Sequence, residues 1–249
     1  MFEVKSTMAI TQLKTQNKPA AQESVARKFV IAIDGPSASG KGTLAKMMAE
    51  RLGYAYLDTG ALYRAVGLAT LEMEGDPSNI HHVRPALHII RRHLTPELLS
   101  NPALRAHVVS DAASKVAALP EVRAALLDYQ RNFAKNPPGN VGGAVLDGRD
   151  IGTVVCPDAD MKFFVTADAQ ERARRRYEDV KAAVPGLTQD LVLQDIQKRD
   201  QRDKLRAVAP TLAASDAYVL DTTALNPEAA LDEAVAVIRS KFLSAIDRF

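Results

Sequence analysis

A run of nine residues, Gly35, Pro36, Ser37, Ala38, Ser39, Gly40, Lys41, Gly42 and Thr43, follows the apolar stretch Phe29-Val-Ile-Ala-Ile-Asp34. Glycines at 35 and 40 allow backbone conformations in which consecutive N–H groups turn inward and cradle phosphate oxygens. Lys41 supplies a cation for the β and γ phosphates of ATP, and the helix that starts beside it adds its positive end. The spacing G-x-x-x-x-G-K is the phosphate-loop pattern, and all nine residues are candidates for ATP contact. The position after the lysine, usually a hydroxyl that binds magnesium, is Gly42; the hydroxyl comes one residue later. Mg2+ is therefore expected with ATP but without a direct protein ligand, Thr43 reaching it through water. The plain alternative is an ordinary glycine turn between strand and helix.

Three more clusters carry polar chemistry. In Asp58-Thr-Gly-Ala-Leu-Tyr-Arg64, the Thr59 hydroxyl, the Tyr63 ring and the Arg64 guanidinium sit at a helix start, suited to a second phosphate and a base. A capped helix with a core tyrosine and a surface arginine is the alternative. Asp147-Gly-Arg-Asp150 follows another apolar strand. Asp147 stands where phosphate-loop enzymes place the acid that orients hydrated magnesium. Arg149 could grip a phosphate, and Asp150 could accept from an exocyclic amino group such as cytosine N4. An Asp-Gly turn is the bland reading. Finally, Arg199, Arg202, Asp203 and Arg206 follow i, i+3, i+4, i+7 spacing on one helix face. A solvated helix laced by Asp195–Arg199 and Arg199–Asp203 pairs is equally compatible with that pattern, and the phosphate loop favours the anion-binding reading.

Elements that could position these groups follow from the hydrophobic pattern. Strands are expected at residues 29–34, 54–58, 144–147, 161–166 and 218–222. Helices are expected after the glycine loop as far as Gly53, and over residues 59–71, 85–94, 96–99, 102–118 and 120–135, proline opening several of them where its missing N–H costs little. Asp168-Ala-Gln-Glu171 reads as a capping box ahead of a basic helix. A turn at Pro185-Gly186 sends a second charged helix to about Arg206, completing a helical hairpin. Asn226-Pro227 caps a last helix with Leu231, Val235, Ile238 and Phe242 on one face. Alternating strands and helices predict an α/β fold of the P-loop NTPase type: three α/β/α layers on a mostly parallel five-stranded sheet, with ligands at the carboxyl ends of its strands.

Composition narrows the classes further. The 249 residues are 47% hydrophobic and 25% charged, with a net charge of +2, too small to argue for nucleic acid, and no apolar run long enough to cross a bilayer. Cys156 is the single cysteine and the five histidines show no zinc spacing, so a reducing cytoplasm is the expected setting. Residues 1–27 lack a clear apolar period and read as a disordered tail. A kinase of a small, shikimate-like hydroxyl metabolite and a non-catalytic nucleotide-binding or RNA-binding module are the rival functions; the first needs a carboxylate base, and no aromatic platform accompanies the arginines for the second.

From about Phe29 onward the chain resembles the bacterial cytidylate kinases. The motifs that carry the resemblance are Ile33-Asp-Gly-Pro-Ser-Ala-Ser-Gly-Lys-Gly-Thr43, Leu57-Asp-Thr-Gly-Ala-Leu-Tyr-Arg64, Leu146-Asp-Gly-Arg-Asp-Ile-Gly-Thr-Val-Val155 and Lys198-Arg-Asp-Gln-Arg-Asp-Lys-Leu-Arg-Ala-Val-Ala-Pro210. The resemblance implies a phosphotransferase that moves the γ-phosphoryl of ATP to CMP or dCMP. It places Thr59, where the family usually has serine, with Tyr63, Arg64, Ser114, Arg123, Arg149 and Asp150 around the monophosphate. Ser114, Arg123 and Asp150 would hold the cytosine, Asp203 the ribose, and Arg64, Arg149, Arg199 and Arg206 the phosphates; Lys41, Arg149, Arg199 and Arg206 would be catalytic. One kinase domain is expected over residues 28–249, with a monophosphate-binding insert near 60–135 and a hairpin near 172–206 that closes as a lid to keep water from the phosphoryl group; nothing reads as an isolated oligomerisation element, and a monomer is expected. Better-known members carry a longer, strand-rich segment where residues 76–105 here are shorter and read helical.

Overall fold

The computed structural model describes residues 27–182 and 184–246. The expectation for residues 1–26 lies outside them, while Arg27 is tied to Asp160 by an ion pair of 3.2 Å. Five strands, β1 (Phe29–Asp34), β2 (Ala55–Asp58), β3 (Gly143–Gly148), β4 (Met161–Thr166) and β5 (Tyr218–Asp221), form one sheet in the order β2-β3-β1-β4-β5. All four pairings are parallel. Register sets Asp58 and Ile33 opposite Asp147, and Asp34 opposite Gly148, so three strand ends deliver carboxylates to one edge.

Alternation along β1 decides the layers. Ile31 and Ile33 join Val145, Phe163, Val165 and Leu220 on one face, covered by α1 (Lys41–Leu52) and α9 (Pro227–Ile246). Ala32 faces the other side with Leu57, Ala144 and Leu146, against Ala134 of α6 (Pro120–Lys135). A second apolar core lies wholly among helices, where α2 (Thr59–Glu72), α3 (Ile80–Arg92) and α5 (His107–Val116) meet α6 around Leu62, Val66, Leu87, Val116 and Leu126. The short α4 (Pro96–Ser100) packs at its margin. The hairpin of α7 (Ala169–Val180) and α8 (Gln189–Lys204) has only a small core of Ala173, Val192 and Ile196.

Several expectations shift. Helix α3 begins five residues before Pro85, because the Asn79 side chain caps it by accepting from the His81 amide. Pro85 lies on the exposed face of α3, so the His81 carbonyl that loses its donor can turn to water. The helix expected over residues 102–118 is broken at Ala106 into a 3-10 turn, Pro102–Arg105, and α5. An unbroken helix would put Leu104 on the stripe of Val108, which is exposed; the extended Ala106 lets Leu104 and Val109 both reach the core. The capping box before α7 is half formed. Asp168 accepts from the Gln170 amide, but Glu171 turns to Arg174 and Arg175, and the Asp168 amide donates to Thr223 Oγ1 instead.

One element has no counterpart in the sequence reading. After Asp150 the chain makes a π-helical turn, Ile151–Val155, in which the Val155 and Cys156 amides donate to the carbonyls five residues back. Its first two amides, of Ile151 and Gly152, donate to Asp34 at 2.7 Å each. Its last two carbonyls, of Val154 and Val155, accept from Arg131. The turn is clamped at both ends by side chains from other elements.

Candidate active site

The glycine loop begins with a steric requirement. A Cβ on Gly35 would stand 2.0 Å from the Val165 carbonyl oxygen, and its φ of 151° lies in the region that favours glycine. Gly40, at φ 83°, caps α1 in a left-handed conformation, so the next residue, Lys41, opens the helix already aimed back over the loop. Lys41 Nζ donates to the Pro36 carbonyl at 3.3 Å. Burial first, and then the neighbouring Arg149, depress its pKa. Ser39 is fully buried and its Oγ has no partner.

Opposite the loop, the ends of β2 and β3 are bonded to one another. Thr59 Oγ1 donates to the Asp147 carbonyl at 2.7 Å, and the Tyr56 hydroxyl donates to Asp147 Oδ1 at 3.0 Å. Burial, then the nearby Asp58, raise the Asp147 carboxyl. Asp58 caps α2 by accepting from the Ala61 amide and pairs with Arg64 at 2.5 Å. Gly42 lies beside the same carboxylate, where a Cβ would meet Asp147 Oδ2 at an ordinary contact distance of 3.5 Å. The space left between Asp147 and the exposed Thr43 is lined by oxygen donors and fits a hydrated cation of the hard, oxygen-preferring kind. No group of three or more His, Cys, Asp or Glu that could hold a metal directly occurs among the described residues.

Guanidinium groups converge on the same space. Arg149 Nε donates to Asp203 Oδ2 at 3.2 Å, and the Ser114 hydroxyl donates to the other carboxylate oxygen at 3.1 Å. Burial pushes the Asp203 carboxyl up, but Arg149, Arg206 and Arg199 outweigh it and hold it below its ordinary value. Arg206 spreads its donors over the Asp203 and Ala117 carbonyls and Thr211 Oγ1. Arg199 has a buried Nε without a partner, and burial, helped by Arg149, lowers its pKa to about 10. Arg64 Nε and one Arg176 nitrogen are likewise buried and unpartnered. A deeper wall is formed by Arg123, which pairs with Asp150 and lies 5.5 Å over the Tyr63 ring.

These residues line one cleft of about 890 Å³. Every expected site residue is on its wall except Gly35 and Pro36, which shape the loop from beneath through backbone geometry and the Lys41 contact. Of the four residues expected to share a face of α8, Arg199, Asp203 and Arg206 line the cleft, whereas Arg202 turns to Asp111 at 3.0 Å. Neither pair of the solvated-helix alternative forms: Asp195 meets His107, and Asp203 meets Arg149.

Part of the wall has no counterpart among the expected site residues. Arg174, Arg175 and Arg176 of α7 reach the cleft, as does the loop from Thr222 to Pro227. Arg175 donates to the Thr222 hydroxyl and to the Thr222 and Thr223 carbonyls, while the Thr222 hydroxyl donates to the Ser39 carbonyl at 2.9 Å. The signal available was the arginine triplet itself. Three consecutive positions span most of a helical turn, so at least one must face the hairpin partner or the cleft.

A chain from Rhodospirillum rubrum named cytidylate kinase is 51% identical over 86% of this chain and 98% of its own length. Others of the same name from Paramagnetospirillum magneticum and Nitrobacter winogradskyi are each 50% identical over 85% of this chain and 98% and 96% of their own lengths. The family model described as cytidylate kinase matches residues 31–240, and this chain therefore belongs to the cytidylate kinase family.

Proposed function

We propose that the cleft transfers the γ-phosphoryl group of ATP to CMP or dCMP, giving ADP and the corresponding diphosphate. The observation that carries this reading is the set of buried guanidinium nitrogens without partners, on Arg64, Arg176 and Arg199, gathered across one cleft from the glycine loop. Cations crowded at close quarters repel, and burial makes each one costly. Anionic phosphates supply both the missing acceptors and the missing charge. A bound triphosphate also favours the charged ammonium of Lys41, which burial and Arg149 disfavour.

ATP lies with its phosphates along residues 35–43 and its base toward the Thr222–Pro227 loop, under Arg175. The acceptor monophosphate meets Arg64, Arg149 and Arg199, with Arg206 at the edge of that set; its base reaches the Arg123–Asp150 pair, Ser114 and the Tyr63 ring, and its ribose Asp203. The attacking oxygen belongs to a phosphate monoester with a second pKa of about 6, already largely ionised near neutrality. No side chain has to act as base. The contribution of the chain is alignment and charge: Lys41, Arg149, Arg199 and Arg206 stand over the oxygens on which charge develops. Mg2+, when bound, neutralises charge on the phosphate oxygens; Thr43 and Asp147 would hold it through water.

The helical cluster α3–α6 serves as the monophosphate-binding insert and the α7–α8 hairpin as a lid that excludes water. A monomer is part of this proposal, since the reading needs no residue from a second chain. Family membership favours this reading over a kinase of a small hydroxyl metabolite or a non-catalytic nucleotide-binding module. Coupled ADP release with CMP, dCMP, UMP and shikimate as separate acceptors tests it. Turnover with CMP and dCMP well above UMP is expected, and preference for shikimate, or no turnover with any acceptor, would refute it.

A further inference from the structure

Ser37 stands on the glycine loop, and both of its backbone polar groups are taken by the hairpin. Its amide donates to Asp200 Oδ1 at 3.4 Å, and its carbonyl accepts from Arg172 Nη1 at 3.0 Å. The same Arg172 nitrogen pairs with Asp200 Oδ2 at 2.6 Å, and Arg172 Nε donates to the Ala167 carbonyl at 3.0 Å. The next residue, Ala38, holds a left-handed conformation at φ 59° and packs against Ala173, Val192 and Ile196, the core of the hairpin. Arg172 comes from α7 and Asp200 from α8, and neither lines the nucleotide cleft. A buried arginine and its partly exposed aspartate partner, both outside the cleft wall, are therefore joined to the loop backbone that must grip one of the ligands.

Helix α8 extends that connection to the other ligand. Asp200 follows Arg199 directly and precedes Asp203 by one turn, so a rigid helix fixes the position of both relative to Ser37. We propose that the Arg172–Asp200 pair is a positioning device that registers the glycine loop against α8, so that ATP seated on the loop sets Arg199 and Asp203 for the acceptor. The inference rests on the reading that the cleft binds ATP and CMP together. Coupling of this kind is reciprocal: each nucleotide raises affinity for the other by the same factor.

The test is the affinity of the full chain for a non-hydrolysable ATP analogue with and without CMP, and for CMP with and without the analogue, alongside kcat and KM. In the unsubstituted enzyme the mutual enhancement is expected on the order of tenfold, within the usual range for coupled sites. In Asp200→Asn each nucleotide alone should bind within about threefold of that enzyme while the enhancement falls below about twofold and kcat drops in step. Asp200→Glu, which keeps the charge, should restore part of the enhancement. Arg172→Lys, with one ammonium in place of a fork, should lose most of it and serves as the second probe if Asp200→Asn fails to fold. Full enhancement in these variants, or its absence in the unsubstituted enzyme, overturns the proposal. An enzyme that turns over CMP while its variants keep the enhancement refutes the coupling alone; one that never phosphorylates CMP refutes the reading beneath it.

Discussion

In the proposed reading, Arg199 and Asp150 divide the work between the phosphates and the base. Arg199 carries a buried, unpartnered Nε, so its truncation removes a cation with a donor that no protein acceptor claims. Arg199→Ala should lower kcat by about 10²–10³-fold, the usual cost of one donor over developing charge, while KM for ATP stays within about threefold. Steady-state kinetics with both substrates varied decides it; an unchanged kcat with weakened ATP binding would remove Arg199 from the transition state. Asp150 is different, since its partner Arg123 would be left charged and buried if the side chain were deleted. Asp150→Asn keeps the volume and an acceptor but reverses half of the hydrogen-bond pattern. It should reduce discrimination of CMP over UMP by about 1–3 kcal/mol, read as the ratio of kcat/KM values. Both residues were legible in the sequence, because each follows directly from a strand end or a helical stripe. The partners were not: nothing in the order of residues tells that Asp203 meets Arg149 and Ser114 rather than Arg199.

The turn at Ile151–Val155 is where an element carries the chemistry of its neighbours. It holds Arg149 and Asp150 at their angle, and Asp34 holds it by accepting two amides while buried. Burial raises the Asp34 carboxyl from 3.8 to about 6, against the pull of those two N–H groups. A folded-state pKa above the unfolded value means that ionisation works against the fold. Stability from this group is fully present only below the unfolded pKa and is lost as pH rises through about 6. Two pK units correspond to about 3 kcal/mol. Between pH 7 and pH 4.5, urea unfolding should show the enzyme gaining on Asp34→Asn by about 2 kcal/mol of that amount, the shared titrations cancelling in the difference; a gap independent of pH would contradict it. The sequence offered no warning of this turn, because π-helical pairing has no hydrophobic period of its own and depends on Asp34 and Arg131, remote in the chain. The break at Ala106 escaped for a related reason: a helical stripe can be drawn through residues 102–118, and only the shared demand of Leu104 and Val109 for the same core rejects it.

At the scale of the whole molecule the sheet and the helical cluster are joined through α6, with Leu99 and Tyr129 packed against both cores, whereas the hairpin meets α5 through polar contacts. The sheet and the helical cluster each bury many large side chains, whereas the hairpin core is small. Between α5 and α8 the links are Arg202–Asp111 at 3.0 Å, His107–Asp195 at 3.1 Å and Ser114–Asp203 at 3.1 Å. Sheet, helical cluster and hairpin could all be read from periodicity, since each is local. How they meet could not, since those pairs join residues about ninety positions apart. Arg202 and Asp111 are each about a third or more exposed, so their pair is worth at most about 1 kcal/mol after solvent screening. It touches no part of the cleft wall through Arg202, and its loss should let the hairpin leave α5 more readily without altering the charges over the phosphates. Arg202→Ala is therefore expected to raise KM for CMP by roughly two- to fivefold, with kcat unchanged or higher if opening limits product release. Added salt should shrink the difference between the two enzymes, because it weakens an exposed pair that only the unsubstituted enzyme has. A loss of kcat comparable to that of Arg199→Ala would instead place Arg202 among the groups that face the phosphates, and the hairpin would then have to sit differently against α5 when both nucleotides are bound.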